Sequence, residues 1–228
     1  LYSEAGAIVC VNGTQAHLAD VTFSGCTGPQ KGVVRIREKS RGFKLDNFFF
    51  NDFNSFGPIY YDKLSVAANT KSWVFCDALD ELRTAFNAGI EISNGRMDEN
   101  TASALINLTA GNAGAARQRG LEIRNVRLHT GFGGGGRGII AKNFRNVECK
   151  NVTAAYSGSA VEHEAAEFSN CVRVFLTNWQ NAYGAKYISL TNGTGRLTPK
   201  NCNFNEAGGA HAGTGGIVAL GGRRGCGV

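Results

Sequence analysis

Short runs in which apolar and polar residues alternate, each closed by Asn or Asp, recur along the chain. The first, Ala16-His17-Leu18-Ala19-Asp20, is followed by Phe43-Lys44-Leu45-Asp46-Asn47, Ile90-Glu91-Ile92-Ser93-Asn94 and Leu121-Glu122-Ile123-Arg124-Asn125. Val147 to Asn151, Val174 to Asn178 and Leu197 to Asn201 repeat it, the last with Pro199 in an apolar position. Alternation with period two marks a strand with one buried face, because successive side chains point to opposite sides. Successive closing residues stand 27, 47, 31, 26, 27 and 23 positions apart; five of the six steps share roughly one length, and the 47 reads as a double step.

After each Asn the alternation resumes, with Val21 and Phe23, Phe48 and Phe50, Val126 and Leu128, Val152 and Ala154, and Cys202 and Phe204 on the inward side. The Asn therefore sits at a bend between two strands, where it tolerates left-handed backbone angles and its amide can bond its counterpart one repeat away. Asp20, Asn47, Asn125, Asn151, Asn178 and Asn201 are the expected members of this ladder, which is read as facing inward. A second strand family lies between the copies: Ile8 to Val11, Val33 to Ile36, Leu105 to Leu108, Tyr187 to Leu190 and Ile217 to Leu220. Gly138 to Ala141 and Ala160 to His163 are looser members.

Two short strands and a variable turn per repeat predict an all-β chain coiled as a right-handed parallel β-helix. About eight coils stacked ~4.8 Å apart would make a rod on the order of 40 Å long, with residues 1–228 as one domain. A doubly wound α/β sheet needs crossover helices of ten or more residues, and most intervals here are too short and too rich in Gly, Asn and Thr. One helix is expected, over 78–88: Asp77 caps it, Leu79, Leu82 and Phe86 share a face, and Gly89 ends it. It falls inside the long step, where Trp73 to Asp77 resembles a degenerate copy of the repeat.

Composition narrows the picture further. Hydrophobic residues make up 43% of the chain, enough to offset ordering entropy and exclude disorder. The formal charge of +6 reads as spread along the sequence and permits acidic partners without selecting one. Seven cysteines, Cys10, Cys26, Cys76, Cys149, Cys171, Cys202 and Cys226, contain no Cys-x-x-Cys pair. No zinc site is expected; they read as small buried hydrophobes assembled in a reducing compartment, with intersubunit disulfides as the alternative. No apolar stretch approaches the length of a membrane-spanning helix, and no leader precedes the first strand-like residues, so the chain is expected to be part of a longer or oligomeric assembly. The sequons at Asn12, Asn107, Asn151 and Asn192 read as products of an Asn- and Thr-rich composition, since an inward Asn151 has no room for a glycan.

Candidate chemistry centres on Val161-Glu162-His163-Glu164. On a strand, Glu162 and Glu164 project to one side about 6.5–7 Å apart, a spacing that suits the acid and base of an inverting glycosidase. They are the catalytic candidates, with Arg137, Lys142 and His163 as substrate-binding candidates. His163 takes a slot held in other copies by an apolar residue, and the alternative reading is an ordinary strand end with surface carboxylates. Asp98-Glu99 reads as a loop, and Asp77, Asp80 and Glu81 as charge at a helix start. Gly131 to Gly138 lacks the ending of a phosphate-binding loop and reads as a turn. Phe48 and Phe50 read as core; outward Phe49 reads as an intersubunit contact rather than a sugar platform.

Segments such as Gly120-Leu121-Glu122-Ile123-Arg124-Asn125-Val126-Arg127-Leu128 and Phe144 to Val152 resemble the pectate-lyase-like β-helix superfamily, and within it bacteriophage tailspike and tail-fibre proteins. The resemblance covers most of residues 5–220 as a fold pattern. It implies a homotrimeric virion structural protein that contacts host surface polysaccharide and other virion proteins. Neither nucleic acid nor membrane insertion is expected. The alternative it implies is a polysaccharide depolymerase, a glycoside hydrolase or lyase acting in a groove on the helix side. The calcium-binding aspartates of a pectate lyase are not found, and neither metal nor cofactor is expected.

Overall fold

The computed structural model describes residues 8–9, 15–24, 34–35, 42–53, 59–61, 89–99, 104–109, 120–130, 137–156, 163–182, 185–204 and 216–220. These residues form two parallel sheets. Sheet 1 contains β1 (Ile8–Val9), β3 (Val34–Arg35), β5 (Ile59–Tyr61), β7 (Ala104–Thr109), β9 (Arg137–Lys142), β11 (His163–Ser169), β14 (Ala185–Thr191) and β16 (Gly216–Leu220), hydrogen-bonded in that order. Sheet 2 contains β2 (Gln15–Ser24), β4 (Gly42–Phe53), β6 (Ile90–Glu99), β8 (Gly120–Thr130), β10 (Asn146–Tyr156), β12 (Arg173–Thr177) and β15 (Arg196–Lys200), again in chain order, with β13 (Gln180–Ala182) also on β10. Chain order thus passes between the sheets while each strand lies on the equivalent strand of the previous turn. This is an all-β, right-handed parallel solenoid.

Period-two alternation builds the interior. Phe43, Ile90, Leu121, Val147, Val174 and Leu197 stand in register and are buried, as are Leu45, Ile92, Ile123, Cys149 and Leu176 two residues on. Sheet 1 contributes the columns Ile106, Ile139, Ala166, Ile188 and Leu108, Ala141, Phe168, Leu190. Burial of each Leu, Ile or Phe contributes about 1.5–3 kcal/mol, so the columns dominate cohesion. Beyond the corner, Phe48 lies opposite Gly95. A Cβ built on Gly95 would sit 2.3 Å from the Phe48 ring, so the missing side chain is what lets that ring lie inward. Trp179, also fully inside, donates its indole N–H to Asn181 Oδ1 at 2.6 Å.

The corner residues Asp20, Asn47, Asn94, Asn125, Asn151, Asn178 and Asn201 all have φ between 48° and 57°. That region is costly for most L-residues and visited most readily by Asn, Asp and Gly. Asn125 donates to Asn94 at 2.8 Å, Asn151 to Asn125 at 2.8 Å and Asn178 to Asn151 at 2.7 Å, each through its side-chain amide. Asn47 donates likewise to Asp20, while Asn94 donates to Asp46 instead of Asn47. The column faces outward: Asn125, Asn151 and Asn178 are exposed, which corrects the inward reading and the steric argument about Asn151. A second set of left-handed corners, Asn143, Asn170 and Asn192, precedes sheet 2, and Asn170 donates to Asn143 at 2.8 Å.

Two readings of the repeat are corrected. The step from Asn47 to Asn94 is one coil, because β4 pairs directly with β6 and only β5 separates β3 from β7. Extra chain is inserted between rungs without adding one. The strand expected at Ala160 to His163 is instead β11, in which Phe168, not His163, pairs with Ala141 and Leu190. Lys142 pairs with Ser169 and lies one position outside the apolar column. The helix expected over 78–88, the degenerate copy at 73–77 and residues 131–136 of the glycine run lie outside the described residues. Cys149 and Cys171 are buried thiols and Cys202 is half-buried; burial pushes the Cys149 thiol far above its ordinary range.

Candidate functional site

The outer face of sheet 2 carries an open groove of about 640 Å³. Its floor follows from sequence: Gly42, Gly89 and Gly120 each stand immediately before an inward Phe43, Ile90 or Leu121. A Cβ at Gly120 would meet nothing within 4 Å, and one at Gly89 only a carbonyl at 3.8 Å, so the space above them is free. One wall is the outward row His17, Lys44, Glu91, Glu122 and Glu148, drawn from β2, β4, β6, β8 and β10. Lining residues from five neighbouring strands mean that the groove crosses the strands and follows the long axis of the rod.

Charge in that wall is partly balanced. Arg124 reaches Glu91 at 2.6 Å and Glu122 at 3.0 Å, and Lys44 reaches Glu91 at 3.5 Å and Asp46 at 3.8 Å. The Glu91 hydrogen bond raises the Arg124 pKa further above its ordinary value. The amides of Asn94 and the hydroxyl of Ser93, both donating to Asp46, hold the Asp46 carboxyl below its ordinary value. These groups are part-exposed, where ion pairs contribute little to stability, about 0–1 kcal/mol each. Glu148 lies directly opposite Glu122 on the next rung.

A second cluster lies on sheet 1. Arg137 bridges Glu164 and, at 3.3 Å, Glu167, while Lys142 reaches Glu167 at 3.6 Å and the Thr191 hydroxyl donates to it at 3.4 Å. Glu164 is 8% exposed, and that burial raises its pKa against the opposing pull of Arg137. A register shift on either side of Glu164 breaks the strict alternation of β11, bringing Glu164 and Glu167 to one guanidinium. Of the sequence candidates the structure therefore joins Glu164, Arg137 and Lys142, and it adds Glu167, which is not among those candidates. Its signal was available, since Glu167 is the outward residue between inward Ala166 and Phe168. Glu162 and the His163 side chain lie outside the described residues.

Asp98 is on β6 rather than in a loop. It holds Arg96 at 2.6 Å and faces His129 Nδ1 at 3.7 Å, and burial lowers the His129 pKa. The Arg96 guanidinium also lies 5.8 Å from the centre of the outward Phe49 ring. Among the described residues no group of three or more His, Cys, Asp or Glu is placed to hold a metal ion, and no helix is long and apolar enough to cross a membrane.

The class that fold and surface define is a parallel β-solenoid with an open groove along its side. No protein-family model, no curated protein and no solved structure matches the chain.

Proposed function

We propose that the chain is the β-helix of a bacteriophage tailspike or tail fibre, a homotrimeric virion element that lays host surface polysaccharide along the groove of sheet 2. The observation that carries this reading is the glycine-floored groove crossing five rungs. A linear polymer needs a continuous trough rather than an enclosed pocket, and this one repeats its wall every ~4.8 Å. Its lining of His, Lys, Glu and Asn supplies donors and acceptors suited to hydroxyl-rich ligands.

Gly120→Phe is the direct test. The open space around Gly120 lets a ring fill the groove with little disturbance to packing. Binding of the chain to surface polysaccharide of the host should fall about tenfold or more, with the unfolding midpoint unchanged. A wild-type chain that binds no host glycan, or a variant that binds equally well, overturns the assignment. Finding the chain in purified phage particles, and a threefold mass in sedimentation, tests the virion and trimer parts.

The buried Glu164 favours one second reading, a depolymerase in which Glu164 and Glu167 act as acid and base while Arg137 and Lys142 hold them and an acidic sugar. Undiminished glycan cleavage by Glu164→Gln with Glu167→Gln removes it.

A further inference from the structure

Among the described residues, exposed cations gather on one part of sheet 2. On rungs β10, β12 and β15 the outer face of sheet 2 exposes Lys150, Arg173, Arg196 and Lys200, and none of the four makes an ion pair among the described residues. Arg173 and Arg196 lie directly opposite each other in register, so two guanidinium-bearing side chains rise side by side from adjacent rungs about 4.8 Å apart. Lys150 and Lys200 occupy one row two rungs apart, with Thr177 between them. Like charges placed together repel, and a stack of this kind, outnumbering the single Glu148 carboxylate beside it, attracts an anion.

Between the Arg row and the Lys row stands Phe175. It points outward from β12, half-buried, flanked in register by Glu148 and Thr198. A phenyl face in a polar row offers dispersion contact and water exclusion to the C–H face of a sugar ring. Planar guanidinium forks pair bidentately with carboxylates, and do so better than ammonium groups. Apolar platform and forks lie on the same few rungs, immediately beyond the Asn146 and Glu148 end of the groove.

We infer that Phe175, Arg173 and Arg196, with Lys150 and Lys200 beside them, form a subsite for a carboxylate-bearing sugar, so that the polysaccharide held by this chain is a uronate-containing one. The subsite rests on the reading of sheet 2 as a glycan surface and adds the charge of the ligand to it. Neutral stretches of the polymer lie over the partly balanced wall at Glu91 and Glu122, and acidic units meet the cations beyond it.

The test uses the full chain with three probes: a uronate polysaccharide such as alginate, the same polymer with its carboxyls reduced, and a single-stranded oligonucleotide. Wild type should bind the acid form about tenfold or more tightly than the reduced form, with affinity falling as salt rises. Arg173→Gln with Arg196→Gln should erase that difference, and Phe175→Leu should weaken binding of both polymers. Equal binding of acid and reduced forms, indifference to the Arg variant, or an oligonucleotide that binds as well as the uronate overturns the subsite. Should the chain still hold host glycan and lose it with Gly120→Phe, the groove reading stands and only the subsite falls. Should wild type bind no glycan of any kind, both fall.

Discussion

Replacing Gly95 by Ala adds one methyl group to the interior, and the structure says where it goes. The new Cβ would lie 2.3 Å from Cε1 and Cζ of Phe48 and 2.5 Å from Cδ1. Those atoms belong to a ring that is 4% exposed and packed against Phe50 at a centroid distance of 5.1 Å, so the ring cannot simply swing into solvent. Forcing an extra methyl into such packing costs about 1–3 kcal/mol. Glycine in a strand interior carries an entropic handicap of roughly 0.5–1 kcal/mol that alanine relieves. The expected net loss is about 1–2 kcal/mol, a fall in melting temperature of roughly 2–8 °C for a chain of this size. Thermal and urea unfolding of wild type, Gly95→Ala, Phe48→Leu and the double variant gives the coupling directly. The smaller Phe48→Leu side chain should absorb most of the methyl, leaving the double variant little worse than Phe48→Leu alone. A neutral or stabilising Gly95→Ala, or strictly additive losses, would show that Phe48 does not occupy the space above Gly95.

Two further outcomes follow from the corner column and the β6–β8 pairing. Asn125→Ala loses two side-chain hydrogen bonds and places Ala at φ 53°, whereas Asn125→Gly loses the bonds but keeps the angle at ease. The Ala variant should therefore be less stable than the Gly variant by about 1 kcal/mol or more, and equal urea midpoints would refute the strain argument. His129, beside Asp98, Arg96 and Arg127, has its pKa lowered by burial, so the folded chain binds fewer protons here than the unfolded one. Its contribution is fully present above the unfolded value of about 6.5 and is lost as pH falls through the lower folded value. Unfolding free energy measured across that window should fall more steeply for wild type than for His129→Gln; parallel curves would exclude His129 as the cause.

The sheets were legible because period-two alternation and a fixed step are both set by strand geometry, independent of loop composition. Asn at φ near 50° was legible for the same reason, since few other residues sit at such a corner. What spacing could not reveal was whether the 47-residue step held one rung or two, because an insertion lengthens the chain without altering the strands on either side. The register shift around Glu164 escaped because the flanking Ala165 and Ala166 are both buried and give no hydrophobic contrast to read. Thus Glu164, Arg137 and Lys142 were picked out together, but Glu167, which both cations reach, was not. The glycine floor was hidden by its own chemistry: Gly at the start of a strand reads as a turn, and nothing local tells that three such positions lie one above another.

The direct pairing of β4 with β6 across the long step has a bearing on how such a rod can change. Phe43 to Asp46 meet Ile90 to Ser93 residue for residue although the connecting chain is nearly twice the usual length. Neighbouring layers are thus indifferent to what the chain does on its way from one to the next. A graft of foreign sequence within that connection should leave the stack standing, so it offers a place where recognition can diversify while the scaffold stays constant.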